Sequence, residues 1–229
     1  MKQATNKIPF RRPTKNDILP ITANLIPVFG VAFWGWSAIE AFTVYAMETL
    51  IVGILTLLKM LVAMLARNTR EDWYNGSQTT KVGGLFLMVF FTFHYGMFAA
   101  IQTSIFSGVA GIEPRGAGPL YFFLNWYKFI NEHTAYALCA FVVSYFASNF
   151  VPFIVSGDYK KTPMIYLMFQ PYGRIIVQQF TVILGSMMLL FKFGIGFMII
   201  FIVVKMCVEM FIDYNKIVGQ TVEQMKQNA

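Results

Sequence analysis

Charge and cysteine are both scarce in this sequence. Only 13% of its 229 residues are charged, whereas about 25% is usual for a soluble domain, so we exclude a water-exposed globule. The two cysteines, Cys139 and Cys207, both fall inside long apolar segments. A disulfide framework and a cysteine-rich zinc site are therefore not expected. The formal charge of +7 is spread between apolar runs rather than gathered on one soluble face, so we expect no nucleic-acid partner.

What the sequence has instead is a series of long apolar runs, with 57% hydrophobic and 17% aromatic residues. A transmembrane helix needs about 20 predominantly apolar residues. We therefore predict an all-α polytopic membrane helix bundle over residues 18–213, with about six transmembrane helices. Polar breaks at residues 37–43 and 192–194 separate paired spans. The predicted spans are residues 18–39, 43–66, 82–107, 132–156, 174–191 and 194–213.

Shorter segments flank and connect the predicted spans. Residues 1–17 form a basic segment that we interpret as cytoplasmic and uncleaved, not as part of a signal peptide. Residues 67–81 are predicted to be a charged loop. The aromatic-rich residues 120–130 predict an interfacial helix in the headgroup region, and residues 164–169 predict a second one. Residues 214–229 are predicted to be a cytoplasmic tail.

The distribution of lysine and arginine predicts the orientation of the chain. With six crossings, thirteen of the 18 basic residues lie on the side of the N-terminus and three lie on the opposite side. The first group is Lys2, Lys7, Arg11, Arg12, Lys15, Arg67, Arg70, Lys81, Lys160, Lys161, Arg174, Lys216 and Lys226; the second is Arg115, Lys128 and Lys192. Because short basic loops remain in the cytoplasm, we predict that both termini are cytoplasmic, as in a bacterial inner-membrane protein.

Polar residues inside the predicted spans are the candidate site residues, because a charge in the bilayer usually has a partner or a task. In the outer half we place an intramembrane polar site of Tyr45, Glu48 and Gln102, with His94 near the middle of the membrane. Glu48 has no obvious cation beside it at this depth. It is expected to be protonated, to bond to Tyr45 or Gln102, or to join His94 in binding a proton or a metal ion. Two ligands are too few to favour a metal.

A second group of polar residues is predicted nearer the cytoplasmic surface. This inner-layer network comprises Lys59, Asn149, Arg174, Gln178, Gln179, Lys205, Glu209 and Asp213. Lys205, Glu209 and Asp213 recur every four residues, so they share one helix face. We interpret this layer first as structural, since Lys59 and Lys205 can reach toward the surface or pair with Glu209.

No catalytic motif is visible in the sequence. It contains no phosphate-binding loop, dinucleotide fingerprint or zincin motif. A dyad of Ser186 and His94, as in a rhomboid protease, is disfavoured because Gly185-Ser186-Met187 lacks a glycine after the serine. Small residues such as Ser144 and Gly185 instead predict close helix packing. We assign no catalytic residue, expect that the protein is not an enzyme, and predict no cofactor apart from the metal ion that His94 and Glu48 could bind.

Several short motifs are spread over residues 30–215. They are Tyr45-Ala46-Met47-Glu48 with Lys59-Met60 downstream, His94-Tyr95-Gly96, Pro171-Tyr172-Gly173-Arg174, and Lys205 followed by Glu209 or Asp213. In these motifs the chain resembles a family of uncharacterised prokaryotic integral membrane proteins, classified as a domain of unknown function. The resemblance implies histidines where this chain has Gln102 and Gln179, so a metal or proton site built on them would be weakened here. It implies a fold and residues to test, without a known activity.

Three functions remain open at this point. The first is proton- or ion-linked movement of a small solute through a buried polar site at Glu48 and His94. The second is a noncatalytic subunit of a larger membrane complex, because no segment is long enough to form a soluble domain. The third is an intramembrane metal-dependent enzyme, which we place last because the sequence offers few candidate metal ligands. Expected partners are the lipid bilayer and either copies of the same chain or other membrane subunits.

Overall fold

A computed structural model describes residues 9–12, 14–67, 70–75, 78–118, 120–191 and 195–227, and helices dominate it. The helices are α1 Ile18–Phe33, α2 Ala38–Ala66, α3 Gly84–Ala110, α4 Tyr121–Leu124, α5 Glu132–Tyr145, α6 Val151–Val155, α7 Met164–Phe169, α8 Tyr172–Leu190, α9 Ile195–Phe211 and α10 Tyr214–Gln227. The described strands form a single two-stranded sheet. The predicted all-α class is confirmed.

Three of the described helices are long and apolar enough to cross a membrane, which is half the predicted number. They are α2, α3 and the helix Glu132–Val155, which combines α5 and α6. α1 is apolar but has only 16 residues, about 24 Å at 1.5 Å per residue, while a bilayer core is about 30 Å thick. α9 is similarly short, with 17 residues. The predicted break at residues 192–194 lies outside the described residues.

The helix Glu132–Val155 contains a π turn over residues 146–150. Pro152 follows directly, near the start of α6. A proline has no N–H to donate, and its ring clashes with the carbonyl four residues earlier. We attribute the wider turn to this clash. π turns inside helices often occur at functional sites, and this one begins next to Tyr145.

The connection between α2 and α3 differs from the predicted charged loop. It contains an antiparallel hairpin, with β1 at Arg70–Asn75 and β2 at Gln78–Gly83, paired from Arg70↔Gly83 to Asn75↔Gln78. The sequence does contain signals for a hairpin. Asn75-Gly76 is a dipeptide that favours tight hairpin turns, and β-branched and aromatic residues flank it. The prediction of a loop for residues 67–81 gave too much weight to the charged residues of this segment.

The turn predicted at residues 37–43 is also shorter in the structure. α2 begins at Ala38, and Ser37 is its N-cap. The Ser37 hydroxyl accepts a hydrogen bond from the Glu40 backbone N–H at 3.2 Å, while the Glu40 carboxylate accepts one from the Ser37 backbone N–H at 2.7 Å. This reciprocal capping box satisfies helix-end N–H groups. Glu40 therefore belongs to the first turn of a helix, not to a loop.

α2 is the central helix of the bundle. It packs against α1, α3, α5, α7 and α8, and its side chains contribute to both hydrophobic cores, with Phe42 in one and Met60 in the other. The two predicted interfacial segments contain short helices, α4 followed by a 3-10 turn at Trp126–Phe129, and α7. Any polar side chain on the inward face of α2 is therefore surrounded by other helices.

Candidate functional site

The described polar contacts in the bundle centre on Glu48, which is fully buried. Its Oε2 accepts hydrogen bonds from Lys205 Nζ at 2.9 Å and from Gln178 Nε2 at 3.0 Å. Its Oε1 accepts one from Arg174 Nη2 at 3.0 Å and another from the Tyr145 hydroxyl. The donors come from α5, α8 and α9, so one carboxylate on α2 joins four helices.

Asn24 of α1 extends these contacts to a fifth helix. Its side-chain oxygen accepts a hydrogen bond from Lys205 Nζ at 2.9 Å, and its backbone carbonyl accepts one from the Tyr45 hydroxyl at 2.8 Å. The Lys205 ammonium lies 4.3 Å from the centroid of the Tyr45 ring, and the Arg174 guanidinium lies 4.5 Å from that of Tyr145. Both geometries are cation–π contacts. We call the whole set the Glu48 cluster: Asn24, Tyr45, Glu48, Tyr145, Arg174, Gln178 and Lys205.

Helical spacing explains how this cluster assembles from distant parts of the chain. Arg174 and Gln178 are four residues apart on α8, and Tyr45 and Glu48 are three apart on α2, so each pair shares a face. The cluster holds one carboxylate between two cations. Such a group tolerates burial because charge-assisted hydrogen bonds replace water around each ion.

The contacts of Glu48 and Lys205 differ from the predicted ones. Glu48 was expected to lack a nearby cation, and Lys205 was expected to reach toward the surface or to pair with Glu209. The structure instead pairs Glu48 with Lys205 and Arg174, and the side chain of Glu209 lies outside the described residues. Arg174 was predicted to be the first residue of a span. It lies in the first turn of α8, and its long side chain reaches Glu48.

His94 and Gln102 of the predicted polar site lie apart from the Glu48 cluster. His94 Nδ1 is 2.6 Å from the Tyr172 hydroxyl, and its ring stacks on Phe90. Gln102 Oε1 accepts a hydrogen bond from the Thr49 hydroxyl at 3.3 Å. In the described ranges, His94 makes no hydrogen bond to Glu48, and no three His, Cys, Asp or Glu residues are grouped as metal ligands. The described contacts therefore do not form the predicted pair of His94 and Glu48.

A cleft of about 320 Å³ opens beside the cluster. We call it the inner cleft, and Lys59, Ser148, Asn149, Arg174 and Asp213 are among its lining residues. Lys59, Asn149, Arg174 and Asp213 come from the predicted inner layer. Gln179 of that layer is engaged elsewhere, donating to the Phe98 carbonyl at 3.1 Å. The inner-layer residues therefore divide between the buried cluster, the cleft and the contact with α3.

Residues of the N-terminal segment also line the inner cleft, among them Arg11, Thr14 and Asp17. The segment pairs with the end of α9, where the Arg11 backbone N–H donates to the Phe211 carbonyl at 2.9 Å and the Asp213 N–H donates to the Pro9 carbonyl at 3.0 Å. The Arg11 guanidinium donates two hydrogen bonds to the Asp17 carboxylate, at 2.8 and 3.0 Å. Partial burial raises the pKa of Asp17, but the bonds from Arg11 and from Thr14 outweigh it and lower the pKa below its ordinary value.

Two members of the Glu48 cluster were missed from the sequence. Asn24 is an amide inside the apolar helix α1, and it is 4% exposed. A buried amide needs partners, so its presence in a span was a usable signal. Tyr145 gave a weaker signal, because tyrosine is common in membrane helices, and only the nearby Pro152 indicates an unusual helix turn.

The chain matches the model of a family of unknown function, DUF6498, over residues 8–228. This protein belongs to the family DUF6498. The expectation of an uncharacterised family is thereby confirmed, and the match extends over both the Glu48 cluster and the inner cleft. No curated protein and no solved structure matches the chain.

Proposed function

We propose that this DUF6498 member is a polytopic membrane protein that binds a small polar solute in the inner cleft and moves it across the bilayer. The three helices of spanning length, α2, α3 and Glu132–Val155, provide part of the crossings. In the proposal α1, α8 and α9 complete six crossings, and both termini are cytoplasmic. The bias of basic residues toward one side supports this orientation and a bacterial inner membrane.

The observation that carries the proposal is that the cleft and the buried ions share side chains. Arg174 and Tyr145 line the inner cleft and also bind Glu48. A solute that bonds to Arg174 therefore competes with Glu48 for it. Because Glu48 joins helices from four parts of the chain, that competition changes how the bundle is held together. A ligand shifts a conformational equilibrium by such differential contacts.

The charges of the cluster support ion-linked movement. Protonation of Glu48 would leave Arg174 and Lys205 without their counter-charge in a buried site, which is costly. Proton uptake there therefore requires an anion to enter or the cluster to open. This links the charge state of Glu48 to the state of the cleft, while His94 bonds to Tyr172 and takes no part.

Uptake by purified protein in proteoliposomes tests the proposal. Radiolabelled carboxylates, amino acids and sugars would be offered with and without a pH gradient. Asn149→Trp fills the cleft at a residue that does not touch Glu48, and Tyr136→Trp on the exposed side of α5 is the matched control. We expect wild type and Tyr136→Trp to accumulate a solute. The uptake rate of Asn149→Trp should be at least about tenfold lower. Equal uptake by both variants, or none by folded wild type, would contradict the proposal.

The second candidate, a subunit of a membrane complex, is favoured by the segment after α3. Phe122 is fully buried and anchors this segment, whereas Leu124, Trp126 and Tyr127 are exposed, with Tyr127 57% accessible. Aromatic residues of this kind are enriched at interfaces between proteins. Native mass spectrometry after gentle extraction tests it. Foreign subunits that copurify with the chain would support this candidate, whereas a monomer or a homo-oligomer alone would count against it.

A further inference from the structure

Lys59 is the lysine of the inner cleft, and its surroundings differ from those of Lys205. The residue is 8% exposed and lies on α2. Among the described residues its ammonium makes no hydrogen bond and no ion pair, and its nearest noted partner is the ring of Phe153, 5.5 Å from Nζ to the centroid. Lys205, in contrast, bonds to Glu48 and Asn24. A buried cation without an anion is costly, so it usually serves a function.

The other charged groups that line the cleft are already engaged. Arg11 binds Asp17, and Arg174 binds Glu48. The remaining lining carboxylate, that of Asp213, accepts a hydrogen bond from the Lys216 backbone N–H at 3.0 Å at the start of α10. Within the described part of the chain, Lys59 therefore forms no ion pair, and its positive charge lines the cleft together with the carboxylate of Asp213.

Neutral hydrogen-bonding groups line the same space. The Ser148 hydroxyl is buried and has no hydrogen-bond partner among the described residues. Asn149 is the next residue of the π turn and also lines the cleft. An ammonium, a hydroxyl and a side-chain amide can all donate hydrogen bonds, and a set of donors around one cation is suited to an oxyanion.

We propose that the inner cleft binds an oxyanion, a carboxylate or phosphate group, held by Lys59 together with Ser148 and Asn149. This inference rests on the proposed role of the cleft as a solute site and names the chemical class of the solute. The volume of about 320 Å³ is at the lower end of small-molecule sites, which fits a compact metabolite. The same chemistry would also accept the phosphate of an anionic lipid headgroup.

The test measures anion-dependent stabilisation of the full-length protein. Melting temperatures would be recorded in detergent while acetate or inorganic phosphate is titrated at constant ionic strength. Lys59→Met removes the ammonium, Lys59→Arg keeps a cation, and Lys160→Met is the control at an exposed lysine. We expect both anions, or one of them, to raise the melting temperature of wild type, Lys59→Arg and Lys160→Met. The apparent affinity of Lys59→Met for the anion should be about tenfold lower than that of wild type.

A second readout separates this role from a structural one. Without any anion, Lys59→Met should melt at or above the temperature of wild type, because an unpaired buried charge has been replaced by an apolar chain. Nanodiscs of phosphatidylglycerol and of phosphatidylcholine distinguish the sources of the oxyanion. Stabilisation by phosphatidylglycerol alone, lost in Lys59→Met, would assign the site to a lipid headgroup and would still support the inference.

Two results would overturn the inference. One is the absence of stabilisation by acetate, phosphate and phosphatidylglycerol alike, and the other is equal stabilisation of wild type and Lys59→Met. The outcome is distinguishable from that of the transport proposal. Anion binding without uptake would support this inference and contradict transport. Uptake of a neutral solute that is unchanged in Lys59→Met would support transport and contradict this inference.

Discussion

Two glutamates on α2, two helical turns apart, form opposite kinds of site. Glu40 accepts hydrogen bonds from Ser37, Asn131 and His133, the last at 3.1 Å, and its side chain remains 21% exposed. Glu48 is also bonded on both oxygens, but its side chain is 0% exposed and its partners are Lys205 and Arg174 among others. Both carboxylates are satisfied, so the number of bonds does not separate them.

Exposure separates the two sites, because water can replace lost partners at Glu40 and cannot at Glu48. An exposed ion pair contributes about 0–1 kcal/mol. Removing one member of a buried pair leaves an uncompensated charge and costs about 3–5 kcal/mol. Sequence distance also differs. Ser37 caps Glu40 from three residues away, whereas all the partners of Glu48 lie on later helices.

The largest effect is expected from Glu48→Gln. The variant keeps the shape of the side chain but leaves Arg174 and Lys205 buried without a carboxylate, so it should lower the free energy of unfolding by about 3–5 kcal/mol. The matched change Glu40→Gln should lower it by no more than about 1 kcal/mol. Denaturant-induced unfolding in detergent micelles, followed by circular dichroism, measures both variants.

A double variant checks whether the unpaired buried cations cause the loss of stability in Glu48→Gln. Lys205→Met removes one of the two cations, so in combination with Glu48→Gln it should recover part of the stability that Glu48→Gln loses. Similar losses for Glu40→Gln and Glu48→Gln, or no recovery in the double variant, would show that burial of the ions does not distinguish these sites.

A smaller effect is expected from filling two tight helix contacts. A Cβ added at Gly53, near Glu48, would lie 2.6 Å from Cε1 of Tyr95; one added at Gly30, near Glu40, would lie 2.3 Å from Cδ2 of Trp36. Overpacking of this kind costs about 1–3 kcal/mol. Gly53→Ala should cost more than Gly30→Ala. Tyr95 lies inside a helix and is fixed by a hydrogen bond to the Thr49 carbonyl, 2.9 Å long, while Trp36 lies in the irregular connection between α1 and α2.

Thermal melting measures the two glycine variants, with Gly219→Ala as the control. An added Cβ at Gly219 meets nothing within 4 Å, and alanine is the better helix former by about 1 kcal/mol. We therefore expect Gly219→Ala to melt at or slightly above wild type. A larger loss at Gly30 than at Gly53 would mean that the region around Glu40 is packed as rigidly as the one around Glu48.

The comparison also shows which features were predictable from the sequence. Apolar runs predicted the helices, and the local spacing of Ser37 and Glu40 is a capping pattern that could have been recognised. Most residues of the buried site, though not Asn24 and Tyr145, were recognised one by one, because a charge or amide in an apolar segment is unusual. Glu48, Arg174, Gln178 and Lys205 were each singled out in this way.

What could not be predicted is which of those residues meet. Pairing depends on helix rotation, on the depth at which each helix begins and on the reach of long side chains. Arg174, in the first turn of α8, reaches Glu48 through its long side chain. Glu48 was likewise expected to meet His94, whereas Tyr172 bonds to His94. Such errors are errors of packing, which residue spacing within one helix does not determine.

The smallest effect is expected at a partly exposed ion pair that lines the inner cleft, Arg11 with Asp17. The pKa of Asp17 is lowered in the folded protein, so its contribution to stability is complete above the unfolded value of about 3.9 and is lost as the pH falls through the folded value. Because solvent screens the pair, the contribution should stay below about 1 kcal/mol.

Melting temperatures of wild type and Asp17→Asn between about pH 7 and 3 measure this contribution, with Asp158→Asn as the control. The gap between wild type and Asp17→Asn should close toward acid pH; a gap that persists there would mean that Asp17 stabilises the segment through something other than its charge.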